Sequence, residues 1–376
     1  MGASLCAPPD SPKHEFKDTS GLVYRPDAGV SATAFNGKGG HYTIGAKAAS
    51  APRPEPAVAA ARAAPSGERT LPPPAQLPPQ DTRPVDGIVD TGERRSRSDP
   101  IRKMRVEIAE MNYKMRNMWQ VPACRYVAFN DIVKVNKSQV SPLVKVPKVT
   151  FSTWSTADAL LNLGSQSGKV VCGLNFANGE QVGGGYKTGA LAQEEDLCRR
   201  IPNLYTSLLN AKRDGLYPFG PCTCRTTDRP EKYSDLLFTS DLVVARKSEE
   251  KGFEVLPPEQ QVHVSLITAA APNVNFAREI YDLRLMRNTI RAVFLAPRVM
   301  RPDTNTLILG AWGCGAFGGN PHDISELFAA VLADEGLGTL YQEVHFAIPG
   351  GRYDTTNGKV FWETLRKKVD VQEISC

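Results

Sequence analysis

Two adjacent glutamates, Glu194 and Glu195, follow a glycine-rich segment that contains Gly183, Gly184 and Gly185. Carboxylates in the first turn of a helix ordinarily complement the helix dipole, so a purely structural role is one interpretation of the pair. The glycines favour a second interpretation, because glycine permits positive φ and lets backbone N–H groups approach a phosphate closely. Consecutive helical residues point about 100° apart, so the two carboxylates would divide their roles. One could protonate a leaving oxygen while the other holds a sugar hydroxyl.

A second glycine-rich segment, residues 310–321, follows the short apolar run Thr306–Leu309. In open α/β sheets, ligands bind beyond the carboxyl ends of the strands, where loops lead to helix N-termini. Two such loops suit a pyrophosphate. Neither segment has the phosphate-loop pattern GxxxxGK[ST], and neither has GxGxxG with an acidic residue about 20 positions later. The sequence therefore disfavours a nicotinamide-dependent oxidoreductase.

The elements that must position these residues alternate between strands and helices. Apolar residues recur at spacings of three and four from Ile101 to Met115, which predicts a first amphipathic helix. Repeated β-loop-α units after it predict an α/β fold whose mostly parallel sheet is covered by helices on both faces. The predicted strands are 170–174, 262–268, 306–309 and 344–348, and the predicted helices that follow them are about 193–209, 280–294, 324–333 and 360–368.

Composition changes sharply near residue 100. Eight Ala and nine Pro occupy 17 of the 30 positions from 51 to 80, and no aromatic residue occurs from 43 to 112. Such a segment cannot bury enough apolar surface to offset its ordering entropy, so we predict a disordered arm over residues 1–99. Met1-Gly2 followed by Cys6 resembles an acylated N-terminus. Because no Ser or Thr stands at position 6 and no polybasic cluster follows closely, we do not expect lipidation.

The net charge and the spacing of the cysteines limit the classes of protein to which the chain could belong. The 45 Lys plus Arg against 40 Asp plus Glu give +5, which is too mild for a nucleic-acid coat but is compatible with an anionic ligand. The eight cysteines form no CxxC pair, which predicts a reducing, intracellular compartment, cytoplasmic or nuclear. No apolar run approaches 18 residues, so we expect no membrane span. Cys222 and Cys224 are expected to be free thiols, and His263 and His322 are expected to be structural or surface residues.

The motifs are specific enough to indicate a family. Gly183 to Gly185, seven residues, and then Gln193-Glu194-Glu195 resemble the signature of poly(ADP-ribose) glycohydrolases, particularly of the smaller microbial-type group. The segments 174–178, 267–273 and 309–318 resemble that family's strand before the triple glycine, its middle strand and its diphosphate loop. The resemblance covers roughly residues 101–376.

The resemblance implies a fold, an activity and a set of site residues. The fold would be a macrodomain, a three-layer α/β/α sandwich with a mixed, mostly parallel sheet, over residues 100–376, with an N-terminal helical extension over about 100–165. The activity would be hydrolysis of the ribose–ribose O-glycosidic bonds of poly(ADP-ribose), releasing ADP-ribose without metal or organic cofactor. Glu195 would be the general acid/base and Glu194 would hold a ribose hydroxyl. The implied substrate-binding residues are Asn178, Gly183, Gly184, Gly185 and Gln193 at the distal ribose and catalytic loop, and Gly313, Cys314, Gly315, Ala316 and Phe317 at the diphosphate.

Two other functions stay open at this point. A mono(ADP-ribosyl) hydrolase would use the same pocket, and a non-catalytic macrodomain would only bind ADP-ribose. The intact glutamate pair favours the polymer, because Glu194 would have little to hold without a second ribose. The expected partners are poly(ADP-ribose) and ADP-ribosylated proteins, with no direct readout of nucleic acid, a monomeric state and a place in the DNA damage response.

Overall fold

The computed structural model describes residues 99–135, 140–224, 230–350 and 356–374, together with the backbone of four short strands nearer the N-terminus. The chain divides into two compact units, Met1–Gly87 and Ile88–Cys376. In the first unit, β1 (Phe16–Lys17), β2 (Val23–Arg25), β3 (Thr33–Phe35) and β4 (His41–Thr43) form an antiparallel sheet in that order. The sequence gives no indication of these strands. The remainder of the predicted arm, the possible acylation site included, lies outside the described residues, so disorder there stays a prediction.

The second unit is built on an eight-stranded sheet in the order β12-β6-β11-β10-β7-β9-β8-β5. Neighbouring strands pair in parallel from β12 to β9, and β8 is antiparallel to both β9 and β5. These strands are β5 (Cys124–Val127), β6 (Lys148–Ser152), β7 (Val171–Ala177), β8 (Leu236–Val244), β9 (Val262–Ala270), β10 (Thr306–Leu309), β11 (Glu343–Ala347) and β12 (Val371–Glu373).

Helices cover both faces of this sheet. They are α1 (Pro100–Lys114), α2 (Phe129–Ile132), α3 (Thr156–Gly164), α4 (Gln193–Arg200), α5 (Pro202–Arg213), α6 (Leu283–Met300), α7 (Pro321–Ala329) and α8 (Thr356–Arg366). Short 3₁₀ turns lie at Arg116–Met118, Tyr186–Thr188, Gly220–Cys224, Pro230–Lys232, Glu249–Lys251, Pro258–Gln260 and Leu337–Leu340, and a π-helical turn at Ala330–Asp334 extends α7. None of the helices in the described part of the chain is both long and apolar enough to cross a membrane.

The core consists of two hydrophobic clusters, one on each face of the sheet. Because side chains alternate along a strand, Leu307 and Leu309 of β10 pack in the cluster formed with α2, α6, α7 and α8, whereas Ile308 packs in the cluster formed with α1, α3, α4 and α5. The predicted α/β fold with a mixed, mostly parallel sheet between helical layers is confirmed.

Two local expectations differ from the structure. The single helix expected over about 193–209 is two helices, α4 and α5, because Pro202 begins α5 and pushes Ile201 out of helical geometry, to φ −117° and ψ 83°. The helical extension expected over about 100–165 contains α1, α2 and α3, but it also contains β5 and β6, which are strands of the main sheet.

Candidate active site

A cavity of about 660 Å³ lies at the carboxyl ends of the parallel strands, where the sequence places both glycine loops. It runs past the ends of β7, β10 and β11 and is bounded by the N-terminus of α4. Ten of the twelve residues singled out from the sequence line it: Asn178, Gly184, Gly185, Gln193, Glu194, Glu195, Gly313, Gly315, Ala316 and Phe317. The other two, Gly183 and Cys314, belong to the same loops but do not line the cavity.

Glu194 and Glu195 stand in the first turn of α4, and their side chains are only 3% and 7% exposed. Glu194 accepts hydrogen bonds from Asn178 N at 3.0 Å and from Asn175 Nδ2 at 3.3 Å. Burial raises the pKa of Glu194 to about 8, against the effect of the Asn178 amide, and the neighbouring Glu195 charge raises it further. Glu194 is therefore a carboxyl that exchanges a proton near neutral pH.

The glycine loop fits closely around Glu195. Gly185 N donates to Glu195 Oε1 at 2.8 Å. Gly184 has a φ of +51°, and a Cβ at this position would lie 2.6 Å from the same Oε1. Only glycine combines that backbone conformation with that close approach to the carboxylate. The loop thus fixes one oxygen of Glu195 while the side chain lines the cavity.

Gln193 and Asn178 hold the loop and helix to the end of β7. The Gln193 side chain accepts from Phe176 N at 2.8 Å, and donates to Leu174 O at 2.7 Å and to Thr156 Oγ1 at 3.0 Å. Asn178 Oδ1 accepts from the backbone N–H groups of Glu180 and Gln181, both at 2.9 Å, which closes the turn after β7. Both side chains thus serve to shape the site as well as to line it.

The second glycine loop offers backbone groups without any acidic side chain. Gly313 has a φ of +77°, and a Cβ there would lie 2.7 Å from Ala271 Cβ. Gly315 faces open space, with nothing within 4 Å of a Cβ position. Trp312 is buried and donates from Nε1 to Ala269 O at 3.0 Å, which anchors the loop to β9. With α7 beginning just after it, this loop has the backbone donors and helix N-terminus that suit an anionic group.

Part of the cavity wall consists of charged and polar residues that the sequence analysis did not single out, and we call this part the outer wall. Asp196 and Arg200 reach it from α4, Asp158 from α3, and Ser248, Glu249 and Glu250 from the segment after β8. Arg200 Nη1 pairs with Asp158 Oδ1 at 2.7 Å, and Glu249 is held by Arg105 of α1 at 2.6 Å. Burial raises the pKa of Asp196 to about 6, although the Arg200 charge opposes that shift. In the sequence, the signal that could have indicated Asp196 is that it directly follows the glutamate pair.

The remaining predicted residues lie away from the cavity. His263 and His322 are exposed, the first near the start of β9 and the second in the first turn of α7. Cys222 Sγ donates to Phe219 O at 3.1 Å, and Cys224 is buried. Within these described residues, no group of three or more His, Cys, Asp and Glu side chains is arranged to hold a metal ion.

Comparison with known proteins finds a family model that matches part of this chain. Residues 101–247 match the family model described as "Microbial-type PARG, catalytic domain". No curated protein matches the chain.

Solved structures of bacterial poly(ADP-ribose) glycohydrolases share the fold. The enzyme from Thermomonospora curvata superposes with a TM-score of 0.57 at 24% identity, over 71% of this chain and 100% of that one. The enzyme from Deinococcus radiodurans in complex with ADP-ribose gives a TM-score of 0.54 at 24% identity, over 68% of this chain and 97% of that one. The resemblance of this chain to microbial-type poly(ADP-ribose) glycohydrolases is thereby confirmed, by the family model over residues 101–247 and by the shared fold.

Proposed function

We propose that this chain hydrolyses the ribose–ribose O-glycosidic bonds of poly(ADP-ribose) and releases ADP-ribose. The observation that carries the proposal is the buried pair Glu194 and Glu195, which a glycine loop holds in the wall of a cavity large enough for a nucleotide sugar. The ADP-ribose complex of the Deinococcus radiodurans relative supports the same class of ligand.

The chemistry assigned to Glu195 is general acid and then general base catalysis. Its proton passes to the departing ribose oxygen as the bond between that oxygen and the ribosyl carbon breaks, leaving an oxocarbenium-like centre. Water then adds its oxygen to that carbon and returns a proton to Glu195. Gly185 N occupies only Oε1, so the second carboxylate oxygen stays available for the proton.

Glu194 has the role of holding a ribose hydroxyl. Its two oxygens already accept from Asn178 N and Asn175 Nδ2, so the carboxylate is fixed in orientation beside the cavity. The raised pKa of Glu194, about 8, favours a second assignment in which Glu194 carries the catalytic proton. Separate Gln variants of the two glutamates decide between these assignments.

The substrate-binding roles divide along the cavity. The end that takes the distal ribose is lined by Asn178, Gly184, Gly185 and Gln193, and the part that takes the diphosphate is lined by Gly313, Gly315, Ala316 and Phe317. Gly183 and Cys314 belong to the same two loops and help to shape them. The uncharged second glycine loop supports this division, because an anionic group is better accommodated there than beside the carboxylates of the outer wall.

The setting of the activity is also part of the proposal. The fold is of the macrodomain type, with residues 100–376 as the catalytic unit and residues 1–99 as a separate arm. The enzyme acts as a monomer inside the cell, in the DNA damage response, on ADP-ribosylated proteins and without reading nucleic-acid bases. The lack of a CxxC pair among the eight cysteines supports a reducing compartment.

The test incubates the full chain and its Glu195→Gln variant with poly(ADP-ribose) on an automodified carrier and, separately, with mono(ADP-ribosyl)ated protein. We expect wild type to shorten the polymer to ADP-ribose, and Glu195→Gln to do so about 10²–10⁴-fold more slowly while still binding ADP-ribose. Removal of the single protein-linked unit would indicate the mono(ADP-ribosyl) hydrolase instead. Binding of ADP-ribose without turnover of either substrate would indicate a non-catalytic reader. Full activity of Glu195→Gln would move the acid to Glu194.

A further inference from the structure

A buried arginine lies one helical turn behind the proposed catalytic acid. Arg199 is 0% exposed, and it follows Glu195 by four positions on α4. Residues four apart share one face of a helix, and long helical side chains lean toward the helix N-terminus. The guanidinium of Arg199 is therefore directed back toward the turn that carries Glu195.

The hydrogen-bonding capacity of this guanidinium is only partly used. Arg199 Nη2 donates to Ala190 O at 2.6 Å, and the guanidinium carbon lies 5.8 Å from the centre of the Tyr186 ring. In the described part of the chain, Nε and Nη1 of Arg199 have no acceptor although both atoms are buried. A buried cation with two unused donors is costly, so a structural anchor alone does not account for it.

The charged groups that act on Arg199 include two carboxylates and a second arginine. Burial lowers the pKa of Arg199, and the like charge of Arg105 lowers it further, whereas the carboxylates of Asp196 and Glu195 raise it. Both of these carboxylates line the cavity, and Arg199 does not. Its positive charge thus acts on the site from outside the cavity and not by touching a ligand.

Ala190 connects this guanidinium with the glycine loop. Ala190 N donates to Gly185 O at 3.1 Å, and a Cβ on Gly185 would lie 2.5 Å from Ala190 Cβ. Gly185 N in turn donates to Glu195 Oε1 at 2.8 Å. An unbroken series of contacts therefore leads from Arg199 through Ala190 and Gly185 to the oxygen of Glu195.

We propose that Arg199 is a positioning residue for the glycosidic reaction. It holds Ala190 and with it the Gly185 amide against Glu195, and its charge stabilises the Glu195 carboxylate that remains after the proton has left. The effect on turnover rests on the proposed function, whereas the effect on the Gly185 amide does not.

The experiment compares Arg199→Ala and Arg199→Lys with Arg298→Ala in the full chain. Arg298 is the matched control, because it is a buried arginine on α6, on the other face of the sheet, whose Nη1 likewise donates to a backbone carbonyl, Thr304 O, at 3.1 Å. We expect Arg199→Ala to lower kcat on poly(ADP-ribose) about 10²-fold, as small displacements of a catalytic group do. KM should stay within about twofold, because Arg199 does not line the cavity.

Rescue separates positioning from simple loss of stability. Arg199→Lys keeps the charge and should lie between wild type and Arg199→Ala in kcat. Added methylguanidinium should raise kcat of Arg199→Ala and leave kcat of Arg298→Ala unchanged. If Arg199→Ala does not fold, the kcat of Arg199→Lys is compared with that of Arg298→Lys instead. A kcat loss equal to that of the Arg298 variant, or a KM rise that accounts for the whole effect, would overturn the proposal.

Hydrogen–deuterium exchange at the Gly185 amide gives a readout that needs no turnover. Faster exchange in Arg199→Ala than in Arg298→Ala supports the positioning role, and equal exchange refutes it. A wild-type chain that does not cleave the polymer would sink the proposed function, and exchange at Gly185 would still decide whether Arg199 holds the loop.

Discussion

At the scale of single residues, the burial of Glu194 raises its pKa, which affects the stability of the fold as well as the proposed reaction. A carboxyl whose pKa lies above its unfolded value binds a proton more readily in the folded state. Folding is therefore penalised once the pH is high enough for the unfolded chain to have lost that proton. The penalty begins near the ordinary value of 4.5, grows as pH rises, and is complete near the folded pKa of about 8. The site keeps this glutamate in place at a cost in stability near neutral pH.

Replacement of Glu194 by glutamine should remove this penalty. We expect Glu194→Gln to gain free energy of unfolding relative to wild type between about pH 4.5 and 8, by up to about 1.4 kcal/mol per pH unit. Urea unfolding at pH 5, 6.5 and 8 measures the difference. Glu110→Gln serves as the control, because Glu110 is exposed on α1. A difference between Glu194→Gln and wild type that does not change with pH would show that the Glu194 pKa is not raised by folding.

At the scale of elements, the site depends on how closely the loop 183–190 approaches the N-terminus of α4. Neither element forms the site alone, because the Gly185 amide of the loop holds the Glu195 carboxylate of the helix. The α1 helix reinforces this contact from outside. Arg102 Nε donates to Thr188 O at 2.9 Å, and Asn112 Nδ2 donates to Arg199 O at 3.0 Å. The loop is thus held between two helices.

The close approach can be tested by a single methyl group. We expect Gly184→Ala to displace Glu195, since the added Cβ would lie 2.6 Å from its Oε1, and to lower kcat on poly(ADP-ribose) about 10²-fold. The control is Gly168→Ala, because Gly168 has a similarly positive φ of +78° but open space around its Cβ position. Both variants place alanine at a positive φ, so steady-state kinetics at matched stability isolates the contact. Equal activity of the two variants would exclude a role for that contact.

A strand with a continuous apolar run, such as β10, could be predicted from the sequence, whereas β8, which an irregularity interrupts, could not. Thr306–Leu309 is predicted with the bounds that β10 has, because all four residues are buried and glycines follow. β8 escapes prediction because a register shift between Thr239 and Leu242 interrupts it, and Asp241 there has a φ of +58°. The residues of the site divide in a similar way, into those that a motif indicates and those that only the fold brings to the cavity. Motif residues on the two glycine loops were predictable, whereas Glu249 reaches the cavity only through tertiary packing.

At the scale of the whole molecule, the described residues that build the main sheet and the two hydrophobic clusters all follow Asp99. The eight strands of the main sheet begin at Cys124, and the first helix begins at Pro100. Asp99 caps that helix by accepting from Ile101 N at 3.0 Å, which fixes the residue at which the helix begins. The change in composition near residue 100 predicts a domain boundary there.

Limited trypsin digestion tests this division. We expect early cleavage among Arg94, Arg95 and Arg97, because the composition before residue 99 predicts an arm that cannot bury a core, followed by persistence of a fragment that begins near residue 98. Since every residue that lines the cavity lies after residue 150, the fragment should keep the kcat and KM of the full chain on poly(ADP-ribose). Digestion in the presence of ADP-ribose is the control, because a ligand in the cavity should protect the fragment and leave the first cleavage unchanged. Protection of the arginines before residue 99, or loss of activity in step with their cleavage, would show that the arm belongs to the catalytic unit.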